Sequence, residues 1–294
     1  MTDETPVLKP HRSVLFVPAD KPRAIEKACG LDADALILDL EDAVGEEGKA
    51  GAARSAPASI ARWREAGKRA LLRVNTINNA AFACDTAAAA DARPDAVVLP
   101  KVNRAETLLK ARAGLQAAGY DGPVWAMIET PAALLNMRLI GETAQETRLE
   151  ALLAGTNDLT AILRCKLDQE RSAIQAHLTQ IVLAARAYGL LAIDGVFNNF
   201  QDRAGFEFEA RAGRTLGFDG KSLIHPSQID AANRAFSPSA QEREWARRVV
   251  ALFDEPENAG SGAIAMDGQM VERLHLDAAR AILAAATEDT GETG

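Results

Sequence analysis

The chain has 294 residues, with 33 Lys and Arg against 41 Asp and Glu and a formal net charge of -8. That acidic balance, with its basic residues scattered, argues against nucleic-acid binding, which shows as a basic face. The hydrophobic share of 48% suits one large core, no stretch reaches the ~20 apolar residues of a membrane span, and three cysteines without a CxxC (Cys29, Cys84, Cys165) argue against a disulfide framework and for a reducing cytoplasm.

Residues 1–10 are polar, carry Pro6 and Pro10, and lack the apolar centre of a signal peptide; they read as a flexible arm. Short apolar runs then recur, each alternating with a helical pattern. They lie at residues 13–18, 35–42, 69–75, 96–101, 124–130, 149–158, 190–196 and 222–225. Apolar runs of this length read as buried parallel strands. The helical patterns include residues 23–29, 52–66 and 172–188. About eight β-then-α units in roughly 225 residues match the size of a (β/α)8 TIM barrel. The competing doubly wound sheet advertises a Gly-rich turn after its first strand. Here that strand ends Pro18-Ala19-Asp20, which favours the barrel.

In barrel enzymes the active site forms where the strands end. The ends of these runs carry Pro18, Asp39, Glu41, Asp42, Arg73, Asn75, Lys101, Glu129, Asp158, Asp194 and His225. Glu129 and Asp158 would reach one rim from adjacent strands, where two carboxylates repel unless a cation sits between them. Hard oxygen donors suit Mg2+ or Mn2+, and no Cys/His cluster points to zinc. Arg73 offers a planar fork for a substrate carboxylate, or for an ion pair with Glu41 or Asp42. Glu41 and Asp42 are expected to orient metal-bound waters or to fix Arg73 and Lys101, or else to form a structural ion-pair network. Lys101 helps neutralise the acidic rim. His225 before Pro226 and Asp194-Gly195 read as loop geometry. No GxSxG and no convincingly placed Cys suggest a covalent hydrolase. No Gly-rich phosphate motif marks a nucleotide site.

Beyond the barrel, residues 239–254 form an amphipathic pattern with Trp245, Val249, Val250 and Leu252 on its apolar face. Residues 255–262 read as a linker, Asp267-Gly268 as a hairpin turn, and residues 274–286 as a final helix, with 287–294 frayed. The expected organisation is an arm over 1–10, a catalytic barrel over 11–236, and a small lid and oligomerisation segment over 237–294.

Read together and in order, the strings RSVLFVP (12–18), DLEDAV (39–44), RVN (73–75), LPK (99–101), IET (128–130), GTNDL (155–159), GKSLIHP (220–226) and DGQMV (267–271) resemble the citrate lyase β-subunit-like CoA-ester lyases of the HpcH/HpaI aldolase superfamily. That group includes malyl-CoA and citramalyl-CoA lyases. The resemblance covers about residues 11–287. It implies a (β/α)8 barrel with a mobile C-terminal extension, assembled as a homotrimer or homohexamer. It implies Mg2+ held at the positions of Glu129 and Asp158, and an α-keto acid carboxylate gripped by Arg73. It also implies an acidic residue donated by the C-terminal segment of a neighbouring subunit. The family string there is Gly-Lys-Met-Val/Ile-Asp; this chain has Gly268-Gln269-Met270-Val271-Glu272, so Glu272 is the expected proton-transfer residue, one methylene longer.

The reaction implied is cleavage, or formation, of a C–C bond in a β-hydroxyacyl-CoA thioester, giving acyl-CoA and an α-keto acid. Metal binding would lower the hydroxyl pKa. Two alternatives share the scaffold: hydrolysis of a malyl- or citramalyl-CoA thioester, and a citrate lyase β-type subunit acting on an acyl-carrier-protein thioester.

Overall fold

Each apolar run becomes a strand because its alternate side chains can be buried on both faces, inward against the other strands and outward against helices. The computed structural model describes residues 11–258 and 260–290; the expected arm and the last four residues lie outside that range. The first compact unit, His11–Phe236, contains the barrel. In chain order it runs β1 Ser13–Pro18, α1 Pro22–Ala28, β2 Ala35–Asp39, α2 Glu46–Glu65, β3 Arg69–Arg73, α3 Phe82–Ala92, β4 Ala96–Leu99 and α4 Ala105–Ala118. It continues with β5 Val124–Ile128, α5 Pro131–Glu142, α6 Ala144–Thr147, β6 Leu149–Ala154, α7 Thr156–Leu163, α8 Gln175–Ala187, β7 Leu191–Asp194, α9 Arg203–Leu216, β8 Gly220–Leu223 and α10 Ile229–Phe236.

The eight strands pair in sequence order, all parallel, and β8 closes onto β1. This is the (β/α)8 barrel expected from the repeat. Most strands are shorter than the runs that announced them, because the polar residues after each strand belong to the loops. Helix α2 starts at Glu46, six residues earlier than expected, with Glu46 and Glu47 in its first turn, where carboxylates favour the positive end of the helix dipole.

Alternation divides the strands into two faces. Leu36, Leu38, Leu72, Val97, Ala126, Ile128 and Leu152 join a core shared with helical residues such as Ile60, Trp63, Leu108 and Ile181. The Trp63 indole N–H donates to the Ile25 carbonyl at 2.9 Å, so burying it strands no polar group. The intervening residues, among them Phe16, Asp39, Arg73, Met127 and Leu153, face the barrel interior and line one cavity near its C-terminal end.

Asp194 corrects an expectation. It does not reach the rim but turns outward between strands and helices, fully buried. Arg171 Nη1 donates to it at 2.7 Å and Lys221 Nζ at 3.0 Å. Lys221 also reaches Glu209 of α9 at 2.7 Å. Two cations and two carboxylates thus form a buried, charge-balanced quartet behind β7 and β8.

The second unit includes Ser237 onward: α11 Ala240–Asp254, β9 Ala263–Met266, β10 Gln269–Glu272 and α12 Arg273–Thr290. Ser239 and Glu242 form a reciprocal cap at the start of α11. Its buried face uses Ala246, Val249 and Phe253, with Trp245 and Val250 packed beside them; Phe253 takes the place expected of Leu252. The Asp267-Gly268 hairpin is as expected, with φ of 51° and 78°, the left-handed pair a two-residue primed turn requires. Helix α12 runs past residue 286 to Thr290, correcting the expected fray at 287.

At the opposite end of the barrel, His11 stacks on Trp125 with ring centroids 5.7 Å apart. Burial, reinforced by Arg69, lowers its pKa from 6.5 to about 4. The unfolded chain therefore binds a proton near pH 6.5 that the folded chain refuses until about pH 4. This contribution to stability is complete above pH 6.5 and is lost as pH falls toward 4. Removing the titration with His11→Phe should reduce the stability lost between pH 7 and 4.5 by about 2–3 kcal/mol. Denaturant titrations of both proteins at the two pH values test this, and equal losses would refute it.

Candidate active site

The acidic rim is built from four consecutive strand ends, β2 to β5, and the start of helix α7. Glu129 is the first residue after β5 and is 3% exposed. Its Oε1 accepts a hydrogen bond from the Lys101 backbone N–H at 2.6 Å. Lys101 holds a left-handed φ of 51° to aim that N–H, an unusual conformation for a side-chain-bearing residue. Gly155, after β6, makes the remaining space. A Cβ there would lie 2.3 Å from Glu129 Cβ and 2.5 Å from its Oε2. Asp158 corrects the expectation of a strand-end carboxylate: β6 stops at Ala154, and Asp158 sits in the first turn of α7. It still lines the same cavity as Glu129.

Arg73 ends β3 and is the in-register neighbour of Asp39 at the end of β2. Its Nε donates to Asp39 Oδ1 at 2.7 Å and its Nη2 to Asp39 Oδ2 at 2.6 Å. The structure thus gives one side of the guanidinium fork to Asp39, a partner the sequence reading did not name. Nη1 lies 3.1 Å from Glu41 Oε2 and 3.3 Å from Asp42 Oδ2, as the ion-pair alternative anticipated. Phe16 stacks below, its ring centroid 4.8 Å from Arg73 Cζ. Burial opposes the charge, yet the bonds and charge of Asp39 win and raise the Arg73 pKa. Asp39 was legible in one respect: it stands two residues before Glu41, on the same face of the chain.

Lys101 Nζ lies 3.1 Å from Glu41 Oε1, 3.6 Å from Asp158 Oδ2 and 3.9 Å from Asp42 Oδ1. Its ammonium therefore ties three carboxylates together, in line with a neutralising role. Behind the rim, Lys49 donates to the Glu41 carbonyl at 3.3 Å and to the side chain of Asn75. Asn75 in turn donates to Asp85 through its backbone and side-chain nitrogens, both at 2.7 Å. No local pattern in α2 or α3 signals Lys49 or Asp85, because their partners are 26 and 10 residues away.

The cavity has a volume of about 370 Å³. One wall carries Asp39, Asp42, Arg73, Glu129 and Asp158, and the floor is apolar. Among the described residues no group of three or more His, Cys, Asp or Glu forms a ready metal cage. Two carboxylates with space around them match how Mg2+ is held, by one or two carboxylates with waters and substrate oxygens completing the octahedron. The all-oxygen donors and the cradle left by Gly155 fit that ion. His225 lies at the end of β8, accepts from the Ser227 N–H at 3.2 Å and stacks on Phe200, a loop-fixing role. Glu272 belongs to the second unit, on β10, where its N–H donates to His275 Nδ1 at 2.9 Å.

Residues 12–226 match the model of the HpcH/HpaI aldolase/citrate lyase family. The chain belongs to that family. A (3S)-malyl-CoA thioesterase of Cereibacter sphaeroides is 44% identical over 94% of this chain and 95% of its own length. The human mitochondrial citramalyl-CoA lyase is 30% identical over 95% of this chain and 86% of its own. Among solved structures, the CitE protein of Mycobacterium tuberculosis in complex with magnesium, acetoacetate and coenzyme A superposes with a TM-score of 0.77 at 31% identity, covering 94% and 98% of the two chains. The family match ends at residue 226, so Glu272 lies outside it.

Burial, with Glu41 and Asp158 adding to it against the Lys101 N–H bond, pushes the Glu129 pKa from 4.5 up to about 7. Between those values the unfolded carboxylate has released its proton and the folded one has not. Glu129 therefore lowers the stability of this family member increasingly as pH rises from 4.5 to 7, and fully above that. At pH 8, without divalent metal, Glu129→Gln should raise Tm by a few degrees, for a gain of up to about 3 kcal/mol. Differential scanning calorimetry with and without Mg2+ checks this; Mg2+ should stabilise only the wild type. A variant no more stable than wild type would refute the strain.

Proposed function

We propose that this protein is a Mg2+-dependent CoA-ester lyase that cleaves, or forms, a C–C bond in a β-hydroxyacyl-CoA of the malyl or citramalyl type. The observation that carries the reading is the buried Glu129 carboxylate, seated in the cradle of Gly155 on a cavity it shares with Asp158 and Arg73. Glu129 and Asp158 hold Mg2+ or Mn2+, and the ion, when bound, acts as a Lewis acid toward the substrate oxygens. Arg73 presents Nη1 to the substrate carboxylate while Asp39 fixes the plane of its guanidinium. Lys101 holds Glu129 through its N–H and offsets charge at Glu41 and Asp158 through its ammonium.

In the cleavage direction the hydroxyl gives its proton to a solvent base, its C–O bond becomes a carbonyl, and the bond to the adjacent carbon breaks. The electron pair passes to the acyl-CoA as an enolate, which then takes a proton at carbon. Glu272 supplies that proton from the C-terminal segment of a neighbouring subunit, in a homotrimer or homohexamer. Closure of this segment excludes water from the enolate. The products are an acyl-CoA and an α-keto acid.

A second reading has its own support. The relative at 44% identity is named a (3S)-malyl-CoA thioesterase. Product analysis of malyl-CoA and citramalyl-CoA incubations by mass spectrometry separates the two. Acyl-CoA with keto acid is expected; free CoA with the intact hydroxy acid would establish the hydrolase. EDTA should abolish activity and Mg2+ restore it, and full activity in metal-free protein would overturn the cation dependence.

Glu272→Gln keeps size and removes the acid. Turnover should fall by roughly 10²–10⁴-fold, the usual weight of one general acid–base group, with Mg2+ affinity unchanged. Oligomers mixed from Glu272→Gln and Arg73→Ala subunits should regain part of the activity. No recovery would show that each chain completes its own site.

A further inference from the structure

Met127 and Leu153 face one another in register on β5 and β6. They are 5% and 1% exposed, and both line the cavity. The chemistry proposed above uses neither. Two residues further along the same strand paths, where strand alternation returns to the same face, stand Glu129 and Gly155. The pair is therefore the apolar floor beneath the carboxylate assigned to the cation. The floor also meets the other anchoring group, because Met127 Sδ lies 3.8 Å from Arg73 Nη1. A small acid that reaches from Glu129 to Arg73 must lie across it.

We propose that Met127 and Leu153 are the specificity residues that read the substituent on the hydroxyl-bearing carbon, the carbon that becomes the keto group. This assignment rests on the function proposed above. The argument is one of tetrahedral geometry. One bond of that carbon leads to the carboxylate, directed at Arg73. A second leads to the hydroxyl oxygen, directed at Glu129 and Asp158. The third, which breaks, leads to the thioester arm and must point out of the open rim. The fourth is left to face the floor. It carries hydrogen in a malyl-type thioester, methyl in a citramalyl-type thioester, and a longer chain where the keto acid is larger.

An apolar wall discriminates one methylene by about 10–200-fold. Met127, with its flexible thioether, adapts to what lies on it. Leu153, branched and packed beside it, sets the depth available. The selectivity between keto acids thus resides in two residues that bear no charge and take no part in proton transfer.

The test uses the intact protein with Mg2+ and has two readouts. Calorimetric titration gives the affinities for glyoxylate, pyruvate and 2-oxobutyrate, and steady-state kinetics gives kcat/KM for malyl-CoA and citramalyl-CoA. Leu153→Phe should lower the pyruvate-to-glyoxylate affinity ratio, and the citramalyl-to-malyl kcat/KM ratio, at least tenfold. Leu153→Ala and Met127→Ala should raise the 2-oxobutyrate-to-glyoxylate ratio at least tenfold. Leu153→Val, a milder truncation that preserves the fold, should move it in the same direction by threefold or more. Ratios that move less than threefold in folded variants, while the wild type binds and turns over as proposed, overturn the floor assignment alone. A wild type that binds no keto acid and cleaves neither thioester overturns the parent reading, and this assignment with it.

Discussion

The rim of this barrel is governed by an excess of negative charge, with Asp39, Glu41 and Glu129 buried and Asp42 and Asp158 reaching solvent. Asp39, Glu41, Asp42, Glu129 and Asp158 stand around two cations, Arg73 and Lys101. Charges in a low-dielectric site interact strongly and are costly to leave uncompensated. Each feature of the site follows from how that excess is managed. Asp39 is neutralised by the paired bonds of Arg73. Glu41 is shared between Arg73 and Lys101, and burial still raises its pKa. Among the described residues Glu129 has only a backbone N–H as hydrogen-bond donor, so it is the carboxylate for which a further positive charge is most favourable.

Two backbone details keep Glu129 in that buried, under-compensated position. Lys101 is held in a left-handed conformation, and Gly155 leaves out the one atom that would collide with the carboxylate. Both lie within two residues beyond a strand and not within it. The regular hydrogen-bonded ladder supplies stiffness, and the first irregular residues after it supply the shape. This division explains why a fold carried by apolar alternation can present a rim so unlike its core.

The sequence was most informative where a pattern repeats. Eight apolar runs, most of them ending in polar residues, are enough to argue a closed barrel, and the hairpin at Asp267-Gly268 is written in two residues. Arg73, Glu129, Lys101 and Asp158 could be placed on the same rim because each stands at the end of its strand or within four residues after it. What could not be read is what depends on side-chain direction or on distant partners. Asp194 looks like another strand-end carboxylate, yet alternation turns it outward to Arg171 and Lys221. Asp39 looks like one of three acids within four residues, and only the register of β2 against β3 shows that it claims Arg73. Lys49 and Asp85 have meaning only once α2 and α3 are packed.

The buried quartet of Arg171, Asp194, Glu209 and Lys221 has a mechanical consequence. The strands it backs are joined by the briefest ladder in the barrel, with only Ile193 opposite Gly220 and Asp194 opposite Lys221. Gly220 presses so closely on β1 that a Cβ there would overlap the His11 carbonyl. The last stave of the barrel is therefore riveted by side-chain charge where the others are sewn by backbone. With Lys221 and Asp194 fully enclosed, dissolved salt cannot reach the rivet. The loop that leaves β7 is tied into the same seam at its first residue, where Lys221 Nζ also donates to the Gly195 carbonyl, so the barrel stays shut there whatever the ionic strength.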